Sequence, residues 1–404
     1  VPAYVPPRFE CEDRRLKRSA RVVLGGVSVY LLARFPWLRH VPRGLFALLD
    51  SPWLLRLVAG TAVRGDPEEL GRVALAVLEG ITGAERPELL TAADWLATHV
   101  RPEVVVLPNL MLASLAPALR SRSIDRVVAF AAGEAPFIDR LGEPYNRLVW
   151  QWIGRWTAHL DRVITFSHYY KSVLSARTSF HCPLDVAPLP IDVPSVGRSE
   201  PDRLFRVLYL SRVVPEKGLR ILGQAVRLAA MRVDRPIELH IAGSGGSERV
   251  PEVREVLDEL HGTKGVNVQV HGEVERDRKL SLLRSSHVWV LPTTVADSQN
   301  VACLEALAVG TPVVVPATGW YPELLDRTRG GVLVQPGNAQ AFADVLQRLI
   351  QSPQLRVLLG NTGREQVRKY HSVDSAGEAI RALLIGDPSS DRPNQARELE
   401  AREK

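Results

Sequence analysis

The sequence predicts an α/β protein made of two doubly wound halves, each built on a parallel sheet. Short β-like runs alternate with segments of helical period along most of the chain. The alternation stops at a proline-rich stretch and then restarts, and several strand ends lead into glycine-rich or charged loops that open a helix. Such loops lie at the carboxyl ends of strands, where open parallel sheets bind their ligands. At 404 residues the chain exceeds one ordinary core, and a soft prior of about 150 residues per domain makes two a fitting count.

In the first half, β-like runs fall at Ala20 to Leu24, Glu103 to Leu107, Arg126 to Ala131 and Arg162 to Phe166. Helical periodicity marks Glu68 to Leu78, Leu89 to His99, Leu110 to Leu119 and Glu143 to Leu160 between them. Pro183, Pro188, Pro190, Pro194 and Pro201 crowd a segment with little periodicity, read as a hinge. Strands are then expected at Arg206 to Leu210, Glu238 to Ala242, Asn267 to His271, His287 to Leu291, Pro312 to Val315 and Gly331 to Val334. Helices include Leu219 to Met231, Ala339 to Ile350, Gln354 to Lys369 and Val373 to Leu384. The expected domains are therefore 1–192 and 203–386, with the last helix packing back on the first, followed by a charged tail, 387–404, expected to be disordered.

Hydrophobic residues make up 46% of the chain and charged residues 24%, ordinary for a globular protein. Cys11, Cys182 and Cys303 are too scattered for a disulfide framework or a zinc site, which fits a reducing, cytoplasmic setting. The net charge of +6, with a basic cluster at Arg14, Arg15, Lys17, Arg18 and Arg21, points to anionic partners. Nucleic acid is not expected, because the basic residues form no aromatic-interleaved or zinc-finger pattern. Trp37 to Leu57 mixes apolar and arginine residues and reads either as an interfacial helix on the inner membrane face or as a core helix pair with a basic outer side. No run is apolar enough to span a membrane. Val22 to Ala33, after Arg14–Arg18, imitates a signal sequence, but Gly25 and Gly26 interrupt it and no small-residue cleavage pattern follows.

The chemistry concentrates in the second half. Ser211 to Gly218 follows a strand and opens a helix, so Arg212 and Lys217 could clamp a diphosphate. A lysine at a helix start opposes the macrodipole unless an anion is recruited, although Glu216 neutralising Lys217 in a solvated loop explains the same residues. Gly243 to Gly246 and His271 to Val274 follow the next two strands, where residues without side chains let backbone approach a ligand. Asp297 and Glu305 then flank a helix start at which the amides of Asn300, Val301 and Ala302 are available to a phosphate. Carboxylates beside such amides suit a polyhydroxylated, phosphorylated ligand of the sugar-nucleotide kind.

These residues carry a resemblance. SRVVPEKG, IAGSGG, VHGEV, the run from Asp297 to Val314 and GGVLVQPGN occur in the order and spacing of the nucleotide-binding domain of retaining family-4 glycosyltransferases of the GT-B fold. The resemblance implies two Rossmann-like domains facing a cleft and transfer of a sugar from a UDP- or GDP-sugar to an acceptor hydroxyl. It places Arg212 and Lys217 on the donor diphosphate, Glu305 on the ribose hydroxyls, Asp297 beside the transferred sugar, and His271, Gly272 and Val274 around the nucleobase. Gly25 and Gly26 look like the amino-terminal glycine loop that approaches the phosphates. No metal or other cofactor is expected, and the acceptor is expected to be a glycan or a lipid-linked hydroxyl in cell-surface glycan or glycolipid synthesis, with an anionic membrane surface as a further partner. Asp297 stands where glutamate is usual, Ser211 where glycine is usual, and Ala132 where many members carry a histidine. Two rival readings remain: a GT-B phosphorylase or epimerase, and a degenerate domain kept for binding or scaffolding.

Overall fold

A computed structural model describes residues 67–80, 86–195 and 203–386. The expectations at Gly25, Gly26 and Cys11, the opening strand, the Trp37 to Leu57 segment and the 387–404 tail lie outside these residues. The chain divides into two compact units, one running up to Thr165 and including Lys171–Val186, the other comprising Phe166–Tyr170 and Ala187–Leu383. The chain therefore enters the second unit for five residues before returning to the first.

Among the described residues, the first unit carries a four-stranded parallel sheet in sequence order: β1 (Val105–Leu107), β2 (Val127–Ala131), β3 (Arg162–Thr165) and β4 (Leu184–Val186). Its helices are α1 (Pro67–Glu79), α2 (Arg86–Trp95), α3 (Ala116–Arg120), α4 (Ala135–Asp139) and α5 (Tyr145–Trp156), and α6 (His168–Ser175) crosses from one unit to the other. α5 buries Val149, Trp150, Ile153 and Trp156, the spacing of one helical face, and the Trp156 indole donates to the Leu78 carbonyl at 2.5 Å.

Two expectations need correction here. Leu110 to Leu119 is not one helix but a 3-10 turn, Leu110–Leu115, running into α3. Pro117 has no N–H to continue an i to i−4 ladder across the junction, so it sits in the first turn of a new helix. The segment from Pro183, expected to be without regular structure, opens with a strand instead, because Leu184, Asp185 and Val186 pair with Val163, Ile164 and Thr165. β4 lies at the edge of the sheet formed by the described residues, where neighbouring prolines cost no ladder bond.

Among the described residues, the second unit has six parallel strands: β5 (Phe205–Leu210), β6 (Ile237–Ala242), β7 (Val266–Gly272), β8 (Val288–Val290), β9 (Val313–Pro316) and β10 (Gly331–Val334). Their order is β10-β9-β8-β5-β6-β7, so the chain builds outward from β5 in one direction and then in the other. The reversal lies between β5 and β8, and the loops leaving these two strands flank it. The interior strands read as continuous apolar runs because both faces are covered, as Val207, Leu208, Tyr209, Val288, Trp289, Val290, Val313 and Val314 demonstrate by their full burial.

The covering helices are α7 (Leu219–Ala230), α8 (Pro251–Leu260), α9 (Arg276–Ser285), α10 (Val301–Val309), α11 (Tyr321–Thr328), α12 (Ala339–Gln351), α13 (Pro353–His371) and α14 (Val373–Ile385). The excursion through Phe166–Tyr170 is pinned within this unit. Ser167 Oγ donates to the Ser298 carbonyl at 2.9 Å, and the His168 and Tyr169 amides both donate to the Glu323 carboxylate at 3.1 Å. No helix among the described residues is long and apolar enough to cross a membrane.

Candidate functional site

The loop after β5 is held from two sides. Val213 N donates to the Ser244 carbonyl at 2.9 Å, joining it to the glycine turn after β6. Gly243 has φ +131°, and a Cβ there would lie 1.9 Å from the Ser211 carbonyl oxygen, so only glycine allows these two loops to touch. On the other side, Thr294 N at 2.8 Å and Thr293 Oγ1 at 3.0 Å both donate to the Glu216 carbonyl. The loops leaving β5, β6 and β8 thus form one continuous rim at the reversal of strand order.

Lys217 and Asp297 meet on that rim, Nζ to Oδ1 at 2.5 Å, with side chains only 12% and 11% exposed. The second Asp297 oxygen is also engaged: the Tyr321 hydroxyl reaches Oδ2 at 2.6 Å and Asn300 Nδ2 at 3.4 Å. Arg212 is exposed on the same loop, and its guanidinium has no ion-pair partner among the described residues. Burial, followed by the Asp297 charge, pushes the Tyr321 phenol well above its ordinary range, so the hydroxyl stays a donor.

Asn300 opens α10, its Oδ1 accepting from Cys303 N at 3.0 Å as an N-cap. The cap leaves the Val301 and Ala302 amides without a protein acceptor among the described residues, at the helix end where an anion is favoured. Cys303 is fully buried, and its thiol is pushed up by that burial. Glu305 lies on the first turns of α10 and pairs with Lys279 of α9, Nζ to Oε1 at 2.6 Å. Its Oε2 keeps no protein partner among the described residues.

His271 is engaged along the sheet rather than left bare. Its Nε2 lies 2.8 Å from His240 Nδ1, and His240 Nε2 lies 2.9 Å from Glu238 Oε2, which Arg206 Nε also reaches at 2.9 Å. Glu238 can only accept, so His240 donates from Nε2 and accepts at Nδ1, and His271 must donate from Nε2. Burial lowers both imidazoles from their ordinary value, His271 also through its neighbour His240. Burial raises the Glu238 carboxyl, but the hydrogen bonds from His240 and Arg206 and their charges leave it lowered on balance. Gly272 contributes its carbonyl to the Gly243 amide at 2.7 Å, and Val274 packs against the core of the unit.

The first unit places a different carboxylate at a strand end. Glu134, 8% exposed, accepts from the amides of Leu110 at 2.9 Å and of Ala132 and Gly133 at 3.0 Å. Ala132 is therefore part of a loop shaped by backbone hydrogen bonds. Tyr321, Lys279, His240 and Glu238 were not singled out by the sequence. Tyr321 and Lys279 reach their partners from other helices, and the Glu238–His240 pair on β6 is completed by Arg206 of β5 and His271 of β7, contacts that neither spacing nor local composition reveals.

Residues 205–352 match the family described as Glycosyl transferases group 1, a little over a third of the chain. The matched segment lies within the second unit. It contains Arg212, Lys217, Gly243, His271, Asp297 and Glu305. The chain is 29% identical over 194 residues to an uncharacterised glycosyltransferase of Methanocaldococcus jannaschii, covering 47% of each chain. It is also 29% identical over 188 residues to a phosphatidyl-myo-inositol mannosyltransferase of Mycobacterium leprae, covering 46% of each. The chain thus spans about half the length of these two relatives. A GDP-mannose-dependent alpha-(1-6)-phosphatidylinositol monomannoside mannosyltransferase of Mycobacterium tuberculosis matches at 27% over 298 residues, 69% of this chain and 74% of that one.

Among solved structures, sucrose-phosphate synthase of Thermosynechococcus elongatus aligns with a TM-score of 0.62 at 18% identity, covering 75% of this chain and 79% of that one. HepE of Anabaena, in complex with UDP and glucose, aligns with a TM-score of 0.61 at 16% identity, covering 74% and 82%. The fold is that of the GT-B glycosyltransferases, with two parallel-sheet α/β units.

Proposed function

We propose that this protein transfers a glycosyl group from a nucleoside-diphosphate sugar to an acceptor hydroxyl, with retention at the anomeric carbon. The observation that carries this reading is the rim at the strand-order reversal. There Lys217 spends one N–H on Asp297 and keeps two without a protein acceptor among the described residues, on the loop that exposes Arg212. The unpaired amides of Val301 and Ala302 add a second cationic pole. This is the donor set a diphosphate requires, and Glu305 Oε2 is the acceptor a ribose hydroxyl requires.

In the reaction the bond from the anomeric carbon to the phosphate oxygen breaks and a bond to the acceptor oxygen forms. The acceptor's proton passes to the displaced phosphate oxygen on the same face. Negative charge grows on the diphosphate as the bond breaks, so Lys217, Arg212 and the helix amides act most strongly in the transition state. The roles of the relatives, one of them dependent on GDP-mannose and two acting on phosphatidylinositol compounds, support a lipid-linked or glycan acceptor. The UDP bound by HepE keeps uridine and guanosine donors both in view.

Thermal denaturation with UDP-glucose, UDP-N-acetylglucosamine and GDP-mannose tests the donor, because only a ligand that binds the native state raises the melting point. Anomeric analysis of the product then tests retention. No stabilisation by any of these donors would overturn the reading. Stabilisation without transfer across an acceptor panel would leave a binding subunit, and release of sugar phosphate would indicate a phosphorylase.

A further inference from the structure

We propose that Tyr321 is a positioning residue for Lys217, its hydroxyl locking the Asp297 carboxylate so that the ammonium is aimed at the donor diphosphate. The inference rests on the function proposed above and deepens it.

The hydrogen-bond polarity of the cluster has one solution. Asn300 Oδ1 accepts from Cys303 N at 3.0 Å, so the amide cannot be flipped, and its Nδ2 faces the Tyr321 oxygen at 3.0 Å. Nδ2 can only donate, which leaves the Tyr321 oxygen as acceptor there and its hydrogen for Asp297 Oδ2 at 2.6 Å. Asp297 Oδ1 is then the oxygen free to hold Lys217 Nζ, at 2.5 Å.

The backbone of Asp297 is held by the same turn. Trp320 N donates to the Asp297 carbonyl at 2.9 Å. Gly319, with φ +61°, lies so close that a Cβ would stand 2.6 Å from that carbonyl oxygen. Three consecutive residues, Gly319 to Tyr321, thus fix Asp297 at its main chain and its side chain. Lys217 has no such support of its own. Its flexible four-carbon stem reaches the rim from another loop, and Asp297 is its one ion-pair partner among the described residues.

A lysine aimed by this network should contribute to gripping a second phosphate but not to holding a nucleoside with one. Calorimetric titration of the full chain with UDP and UMP, and with GDP and GMP, reads that difference directly. Tyr321→Phe should weaken the bound diphosphate roughly tenfold and leave the monophosphate within about twofold, the scale expected when a catalytic group is displaced by a fraction of an ångström. Asn300→Ser keeps an oxygen for the α10 cap while removing the amide that orients the hydroxyl, and should shift the ratio the same way by less. Thr328→Val removes another buried hydroxyl of α11, which bonds the Leu324 carbonyl at 2.9 Å, and should leave the ratio unchanged.

If Tyr321→Phe does not fold, Asn300→Ser carries the test. The inference is overturned if the diphosphate-to-monophosphate ratio stays at its wild-type value in the variant that folds, or if Thr328→Val moves it equally. Should the wild-type protein bind neither diphosphate, the proposed function fails and the inference fails with it. Binding by the wild type with an unmoved ratio removes only the role of Tyr321.

Discussion

Glu134 and Asp297 each follow a strand of a parallel sheet, yet they are spent in opposite ways. Glu134 accepts from three backbone amides, those of Leu110, Ala132 and Gly133, and is 8% exposed. Asp297 accepts instead from the side chains of Lys217, Tyr321 and Asn300. A carboxylate that accepts from amides shapes the loop around it. One filled by side chains from three separate segments fixes those side chains relative to one another, and here one of them is a cation with hydrogens to spare.

The sharpest way to break this contrast is at the cation. Lys217→Ala should lower kcat by about 10²–10³, some 3–4 kcal/mol of transition-state stabilisation, with little change in melting temperature, as steady-state kinetics beside thermal denaturation would reveal. Glu134→Ala should do the reverse, costing about 3 kcal/mol of stability in denaturant titration through the amides it orphans while nucleotide affinity holds. Equal effects of the two substitutions on both measurements would erase the distinction. Glu305→Ala should weaken donor binding by about 1.5–3 kcal/mol in calorimetry, and unchanged affinity would remove its ribose role.

The smallest effect concerns the histidines. His240, His271 and His371 all have imidazoles lowered chiefly by burial, so the unfolded chain binds more protons than the folded one below about pH 6.5. Their contribution is complete above that pH and is lost as pH falls toward the lowered folded values, at no more than about 1.4 kcal/mol per pH unit for each proton. Denaturant titrations between pH 7.5 and pH 5, roughly spanning that window, should find the decline, shallower in a His240→Gln variant.

Much of the second unit was legible because its central strands are buried on both faces and read as unbroken apolar runs, so expected and observed bounds agree within two residues. The helix Arg276–Ser285 was not, since Arg276, Arg278, Lys279 and Arg284 blur its apolar stripe, and the edge strand Leu184–Val186 was hidden among prolines. At the site, Arg212, Lys217, Asp297 and Glu305 were visible as charged residues in loops or helix starts after strands. Lys279 and Tyr321 were not, because both reach their partners from other helices, and sequence spacing does not encode those tertiary contacts. Nor could sequence reveal that Asp297 has both oxygens committed, one to Lys217 and one to Tyr321.

The five-residue excursion Phe166–Tyr170 has a practical meaning for modular exchange. No single cut in the chain separates the two units, because the second is assembled from discontinuous pieces of sequence. A fragment starting at Ala187 would leave Glu323 without the His168 and Tyr169 amides and Ser298 without the Ser167 hydroxyl. Joining the second unit to a different first unit therefore requires transplanting that short stretch as well, and chimaeras joined only near residue 190 should fold poorly for want of it.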